Sequence, residues 1–573
     1  MRFLIGSSRW CLLSAALLAA GACDDQASAI GDGGTDTDTD TDTDTDTDAD
    51  TDTDSDSDAG PDGGEFLCEV DPDRVLEDVA YFASEALGGR ETGMPGNEEA
   101  LLEAEAVFAE LGLEAVGDDG TFRQAFAYSK NDYLAAPSVA VDGDSLDGCN
   151  DYSVFFGSGS GDLTEEIVYV GYGMTVPPFD TADYPGCPLP PTGYDDYEGV
   201  DVTGKIALVV RHGPDDDESV TSTCPDNGLC GGADCLWNFT YKAANAELHG
   251  AAAMLVVQNY GNGPEILAGA SVADGYIADF VSVFVDRDVM EVSFPDLETW
   301  TDGIDGTLTP DPHAPGVEAT LSVSMGVRDV STANLIGAIQ GTDPVIGDEV
   351  VVVGGHIDHL GNDACLYPGA DDNASGTAVT MELARLIKEC ANPARTIVFA
   401  LWNGEEDGML GSYYYAENPS YSLGSTIAAF SVDMVGVGDG SGVILYGTTD
   451  SQNSWLLEVM QGSAAEMEYD WVAEPAVPID ELGYGSDNLP FDDYGIPNAY
   501  VETLGDHLYY HTPADTADTI TTADLEAAAS MMYAVLKPLV EGTEDAYLSD
   551  GKGRTLSPGP QEPNRHERLV RDR

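Results

Sequence analysis

Basic residues are scarce: 21 lysines and arginines stand against 105 aspartates and glutamates in 573 residues, a formal net charge of −84. A chain so acidic repels polyanions, which removes nucleic acid and anionic membrane surfaces as partners. The apolar run at residues 10–20 near the amino terminus is too short to span a bilayer as a stable helix. The ten cysteines form no zinc knuckle, because the clustered Cys224, Cys230 and Cys235 are separated by five and four residues in a Gly/Asp-rich loop. Apolar material is not lacking. Hydrophobic residues make up 43% of the chain and aromatics 8%, ordinary values for a protein with a packed core.

The charge is uneven. Residues 1–64 hold 16 acidic and 2 basic residues and residues 551–573 hold 3 and 6, leaving 86 acidic and 13 basic residues on the 486 between them. That central stretch is itself acidic and long enough for two or three domains.

Residues 1–23 read as a signal sequence: Arg2 and Arg9, then the apolar run, then the small residues Ala20, Gly21 and Ala22 before Cys23. Small residues directly before a cysteine resemble a bacterial lipobox, with Ala20 in place of the more usual leucine. Lipidation of Cys23 and simple signal cleavage are the two outcomes. Residues 24–64 form a linker with twelve aspartates at every second position from Asp36 to Asp58. With nothing to bury and strong self-repulsion, it is expected to be an extended tether; a calcium site is the weaker reading, since no turn glycine organises the aspartates. Cys68, Cys149, Cys187, Cys224, Cys230, Cys235, Cys365 and Cys390 are an even number in a chain expected to be exported, so disulfides are the default, with connectivity open.

The apolar spacing of Val75, Leu76, Val79 and Phe82 predicts a helix, followed by a Gly/Pro turn and a second helix over 97–111. Short β-rich runs at 166–172, 205–210, 252–258 and 281–285, with one helix at 241–249, predict an inserted module at 151–325. It separates the flanking parts at 65–150 and 326–545. The later part alternates strands at 350–353, 396–401, 428–435 and 498–501 with helices, the first over 374–388. Nearly unbroken apolar strands are buried on both faces, so the fold class is α/β, a doubly wound, mixed, mainly parallel sheet carrying its site at the carboxyl ends of the strands. Residues 546–573 form a Pro/Arg-rich tail.

Polar residues gather where those strands stop: His356, Asp358 and His359 after the first, Asp371, Asp372 and Asn373 before the next helix, Glu405, Glu406 and Asp407 after the second, Asp433 in the third, and Tyr510, His511 and Asp515 after the last. Any one motif is more often a solvated turn than a ligand set. Carboxylates and imidazoles at successive strand ends are what a zinc site requires.

The segments H-I-D-H-L-G, G-A-D-D-N-A-S-G, N-G-E-E-D-G-M-L-G-S, S-V-D-M-V-G and Y-H-T-P-A-D-T, in that order, resemble the co-catalytic di-zinc exopeptidases of metallopeptidase family 28, over roughly 70–125 and 330–540. The insert, with V-G-Y-G-M and G-A-A-A-M-L-V-V, is similar to a protease-associated domain. The resemblance implies two zinc ions per chain: His356 and Asp433 on one, Glu406 and His511 on the other, Asp372 on both. It makes Glu405 the general base and Asp358 the carboxylate that holds the His356 imidazole. Two zincs about 3.5–4 Å apart would acidify a bridging water, and Glu405 would take its proton. Tyr510, or Tyr484 in the Gly-Tyr-Gly-Ser-Asp loop, is a candidate donor to the oxyanion. His359 and Asp407 receive no role beyond a solvated or structural one. Asn488 stands where many relatives have histidine, which implies changed loop contacts rather than lost metal.

The expected activity is that of an exported aminopeptidase acting on peptides with a free amino terminus, located in the cell envelope as a lipoprotein or secreted, with membrane contact only through an anchor at Cys23. A carboxypeptidase needs basic side chains for a terminal carboxylate, and few are present. Glutaminyl cyclisation works with a single zinc, and a silent receptor on the same fold would not need Glu405. Manganese or cobalt would also suit these oxygen and nitrogen donors.

Overall fold

The computed structural model describes residues 68–548, apart from 156, 215–223, 226, 230–234, 261–279, 363–364, 449–453, 466, 468–469, 473–474, 477–484 and 506. The signal sequence, the Thr-Asp linker, Tyr484 and all of the expected tail beyond residue 548 therefore lie outside the described residues.

Two helices open it. In α1 (Pro72–Phe82), Asp71 caps the amino end by accepting from the Arg74 amide, and Val75, Val79 and Phe82 are buried at the expected helical spacing. α2 (Pro95–Glu110) follows after a turn. β1 (Arg123–Val141) then leaves for the insert, whose principal elements are β2 (Tyr152–Val154), β3 (Gly161–Tyr169), β4 (Ile206–Val210), α3 (Phe239–Leu248), β5 (Ala253–Val257) and β6 (Val281–Val285). β7 (Glu318–Ile339) returns. The second part comprises β8 (Val350–His356), α4 (Gly376–Cys390), β9 (Thr396–Trp402), α5 (Leu410–Glu417), β10 (Thr426–Val432), β11 (Gly442–Thr448), β12 (Asp470–Val472), β13 (Asn498–Thr503) and α6 (Thr522–Glu541).

The sheet runs β12-β11-β13-β10-β8-β9-β7-β3-β4-β5-β6-β2. β9, β8, β10 and β13 are mutually parallel, with β7 and β11 antiparallel at the flanks. Side chains alternate across this sheet: Val351 and Val353 join a core with α1, α2, α4 and α6, while Val350 and Val352 pack with Trp402, Tyr415 and Phe491 on the other face. The insert repeats the arrangement, with Ile206, Leu208 and Val210 in one core and Ala207 and Val209 in the other.

Sequence reading did not anticipate the joint between the two sheets. β1 and β7 are 19 and 22 residues long and pair antiparallel from Leu335↔Arg123 to Ala319↔Val141. One end of β7 pairs with β9 and the other with β3, so this strand links the later part to the insert and runs through the boundary expected at 325, while β1 ends at Val141, before the boundary expected at 150. Among the described residues, three disulfides join Cys68 to Cys390, Cys149 to Cys365 and Cys187 to Cys224.

Candidate active site

β8 lies between β9 and β10, so chain leaving the carboxyl ends of these strands diverges to either side and opens a crevice. His356 is the last residue of β8 and is fully buried. Its Nε2 lies 3.2 Å from Asp372 Oδ1 and 3.4 Å from Asp433 Oδ1. Asp372 sits in the turn before α4, and Asp433 directly follows β10. A second group faces the other oxygen of Asp372: His511 Nε2 is 3.0 Å from Asp372 Oδ2 and 3.2 Å from Glu406 Oε2. The residues expected to hold metal thus fall into two sets that share Asp372.

These residues suit a divalent metal. Asp433 Oδ1 is buried with no hydrogen-bond partner. Burial opposes charge on His356 and His511, yet Asp433 beside the first and Glu406 beside the second push both well above the usual imidazole range. Burial alone would raise Asp372, but hydrogen bonding from His356 and His511 holds it well below the carboxylate range. Such a cluster draws positive charge, and its hard oxygens and imidazole nitrogens match zinc.

The shared aspartate is held from behind. Asp515 accepts hydrogen bonds from the backbone amides of Asp371 (2.8 Å) and Asp372 (3.1 Å). Asp371 itself turns away, accepting from the amides of Gly436 and Val437 and pairing with His507 at 2.6 Å. Arg90 is buried beneath the site and donates to the carbonyls of Phe82, Ile357, Pro368 and Gly369, thereby tying the loop after β8 to the turn that carries Asp372.

Asp358 departs from its expected part. The His356 Nδ1–H faces the backbone carbonyl of Asp358 at 3.3 Å, whereas the nearer carboxylate oxygen is 3.8 Å away. The carboxylate accepts instead from the amides of Glu405 (3.2 Å) and Glu406 (3.3 Å) and from the Thr92 hydroxyl (2.9 Å). One residue therefore orients the imidazole through its main chain and the Glu405–Glu406 loop through its side chain. Burial raises Glu405 well above the carboxylate range, with Glu406, Asp487 and Asp433 adding to the rise against the pull of His356.

Two residues left without a role are not solvated. Asp407 accepts from the Tyr128 hydroxyl and pairs with Lys130 at 3.1 Å, a mostly buried contact to the β1 ribbon. His359 is fully buried and places Nδ1 2.7 Å from Glu406 Oε1. Tyr510 stands 44% exposed, its ring stacked on His511 with centroids 3.8 Å apart. Asn488 is buried and fastens its own loop, accepting from the Ser486 amide and donating to Asn498. Sequence analysis missed Arg90 and His507, and it gave Asp515 and Asp487 no role although both stood in quoted segments. Arg90 lies in the Gly/Pro turn after the first helix, and nothing in one sequence marks a buried arginine or a second-rank aspartate.

A doubly wound sheet with paired carboxylate–imidazole sets at its switch point defines an α/β protein with a metallohydrolase-type site. Residues 334–536 match the model of Peptidase family M28, and residues 139–292 match that of the PA domain. Aminopeptidase YwaD of Bacillus subtilis is 30% identical over 231 residues, covering 39% of this chain and 48% of that protein. A probable glutamate carboxypeptidase of Arthroderma benhamiae is 31% identical over 243 residues, covering 39% and 32%. The matches thus span about half or less of these relatives' own lengths. Among solved structures, an aminopeptidase from Aneurinibacillus sp. strain AM-1 shares the fold at a TM-score of 0.55 and 22% identity, covering 82% of this chain and 94% of that one. A zinc aminopeptidase from Bacillus subtilis does so at 0.54 and 20%, covering 86% and 98%. The matched regions assign residues 334–536 to a Peptidase family M28 segment and residues 139–292 to a PA-domain segment that precedes it.

Proposed function

We propose that the protein is a zinc-dependent exopeptidase that removes amino-terminal residues from peptides. The observation that carries this reading is the placement of Asp372, whose two oxygens face His356 at 3.2 Å and His511 at 3.0 Å. In this reading His356 and Asp433 hold one zinc, Glu406 and His511 the other, and Asp372 both. When bound, the two ions polarise the scissile carbonyl and acidify water.

The chain's own residues supply the rest. Glu405 takes a proton from the attacking water as the carbon–oxygen bond forms, then delivers it to the leaving nitrogen as the carbon–nitrogen bond breaks. Asp358 fixes the loop that carries Glu405, and Tyr510 stands at the rim as a donor toward the developing oxyanion. The nearby cations favour an amine over a carboxylate as the recognised terminus. Arg90 is engaged by four carbonyls, Lys130 pairs with Glu91 and Asp407, and Arg328 pairs with Glu91 and Asp132.

Export, with or without a lipid on Cys23, belongs to the same proposal. The three disulfides are compatible with an oxidising compartment. The activity test is a panel of aminoacyl anilides and carboxyl-blocked dipeptides set against amino-blocked peptides with free carboxylates. Turnover of the first group alone is expected; turnover of the second alone makes the protein a carboxypeptidase.

A further inference from the structure

His359 is poised to act on one metal site without belonging to either expected ligand set. Its ring is wholly buried, Nδ1 lies 2.7 Å from Glu406 Oε1, and Glu406 Oε2 lies 3.2 Å from His511 Nε2. Glu406 is thus gripped through one oxygen while the other faces the Asp372–His511 group. The same nitrogen is 3.8 Å from Asp372 Oδ2, so His359 could alternatively be a fourth ligand.

The two ring nitrogens separate these readings. A ligand histidine usually gives its other N–H to a carbonyl or carboxylate. His356 follows this pattern, with Nε2 toward Asp372 and Asp433 and Nδ1 toward the Asp358 carbonyl. His359 does not, because its Nε2 is buried with no hydrogen-bond partner. Were Nδ1 bonded to metal, the ring hydrogen would sit on that orphaned Nε2, an unpaired buried donor. With the hydrogen on Nδ1, the ring donates to Glu406 and no N–H is left unpaired.

We propose that His359 is the positioning residue of the second metal site, holding Glu406 by an Nδ1–H···Oε1 hydrogen bond so that Oε2 stays turned toward Asp372 and His511. This rests on the di-zinc reading above and adds a residue to it. The site has a built-in discriminating pair of substitutions: an asparagine amide nitrogen reaches the place of Nδ1, whereas a glutamine amide reaches the place of Nε2. His359→Asn keeps a donor for Glu406 but makes a poor zinc ligand; His359→Gln removes the donor.

The test is competition for zinc between a chromophoric chelator and the metal-free full-length chain, after melting curves of the metal-free proteins. Wild type should bind two equivalents. In His359→Gln the weaker equivalent should lose about 10–100-fold in affinity, while His359→Asn should stay within about threefold of wild type. Equal weakening in both variants makes Nδ1 a ligand and overturns the proposal. Two wild-type-like equivalents in both overturn it too, with the di-zinc reading intact. Failure of His359→Asn to fold overturns the claim that an N–H at that place suffices. A wild-type chain that binds no zinc overturns the di-zinc reading and this inference with it.

Discussion

At the scale of single residues, the site assembles carboxylates that would repel one another without a cation between them. Asp372, Asp433, Glu405 and Glu406 share a few ångströms with His356 and His511, and Asp433 keeps a buried oxygen unpartnered. Glu405 differs from the others in lying among carboxylates that raise its proton affinity, as suits a base that must later act as an acid. Glu405→Gln, nearly isosteric, is therefore expected to lower kcat by about 10²–10⁴-fold while zinc content stays that of wild type. Steady-state kinetics paired with metal analysis checks this, and an unchanged kcat removes Glu405 from the mechanism. Much of this site was legible in the sequence, because five short motifs carry the donors and each stands where a strand ends. His359 lay inside one of those motifs and was still passed over, since the difference between a solvated and a buried histidine is made by Gly369 and Glu406, which come to it from elsewhere in the chain.

At the scale of elements, loops are held by groups distant in sequence. Arg90 joins the end of α1, the loop after β8 and the turn before α4 through four carbonyls. Arg90→Met would take this donor from the buried Phe82, Ile357 and Pro368 carbonyls and leave Gly369 with the Ala374 amide alone, a loss of about 3–5 kcal/mol. Denaturant unfolding of the metal-free protein measures it, and a change below about 1 kcal/mol would contradict the role. On α1 itself, burial pushes Asp78 up to about 6. A carboxyl raised in the folded state gives its full contribution below the unfolded value near 3.8 and loses it as pH climbs through 6. Asp78→Asn should therefore match wild type in stability near pH 3.5 and exceed it by roughly 1–2 kcal/mol at pH 7.5, once solvent screening is allowed for. A gap that is constant with pH would refute this. Helices and buried strands were legible because their apolar spacing is dictated by the core they face. The β1–β7 ribbon was not. Its middle carries Lys130, Asn131, Asp132, Arg328 and Asp329 on a two-stranded stretch, so no continuous apolar pattern announces a strand there.

At the scale of the whole molecule, β7 of that ribbon carries one continuous sheet from the later strands into the insert, and the ribbon's charged side chains reach the active-site loop through Lys130 and Asp407. The net negative charge meets two different ends. A few carboxylates converge where metal charge would offset them, and among the described residues most lysines and arginines are already ion-paired with other carboxylates. The most direct test of the central claim is to add zinc in measured equivalents to the metal-free protein and follow hydrolysis of an aminoacyl anilide. The shared Asp372 predicts a rate that is absent without metal and reaches its plateau at two equivalents. A plateau already complete at one equivalent, or full activity in the metal-free protein, would contradict it.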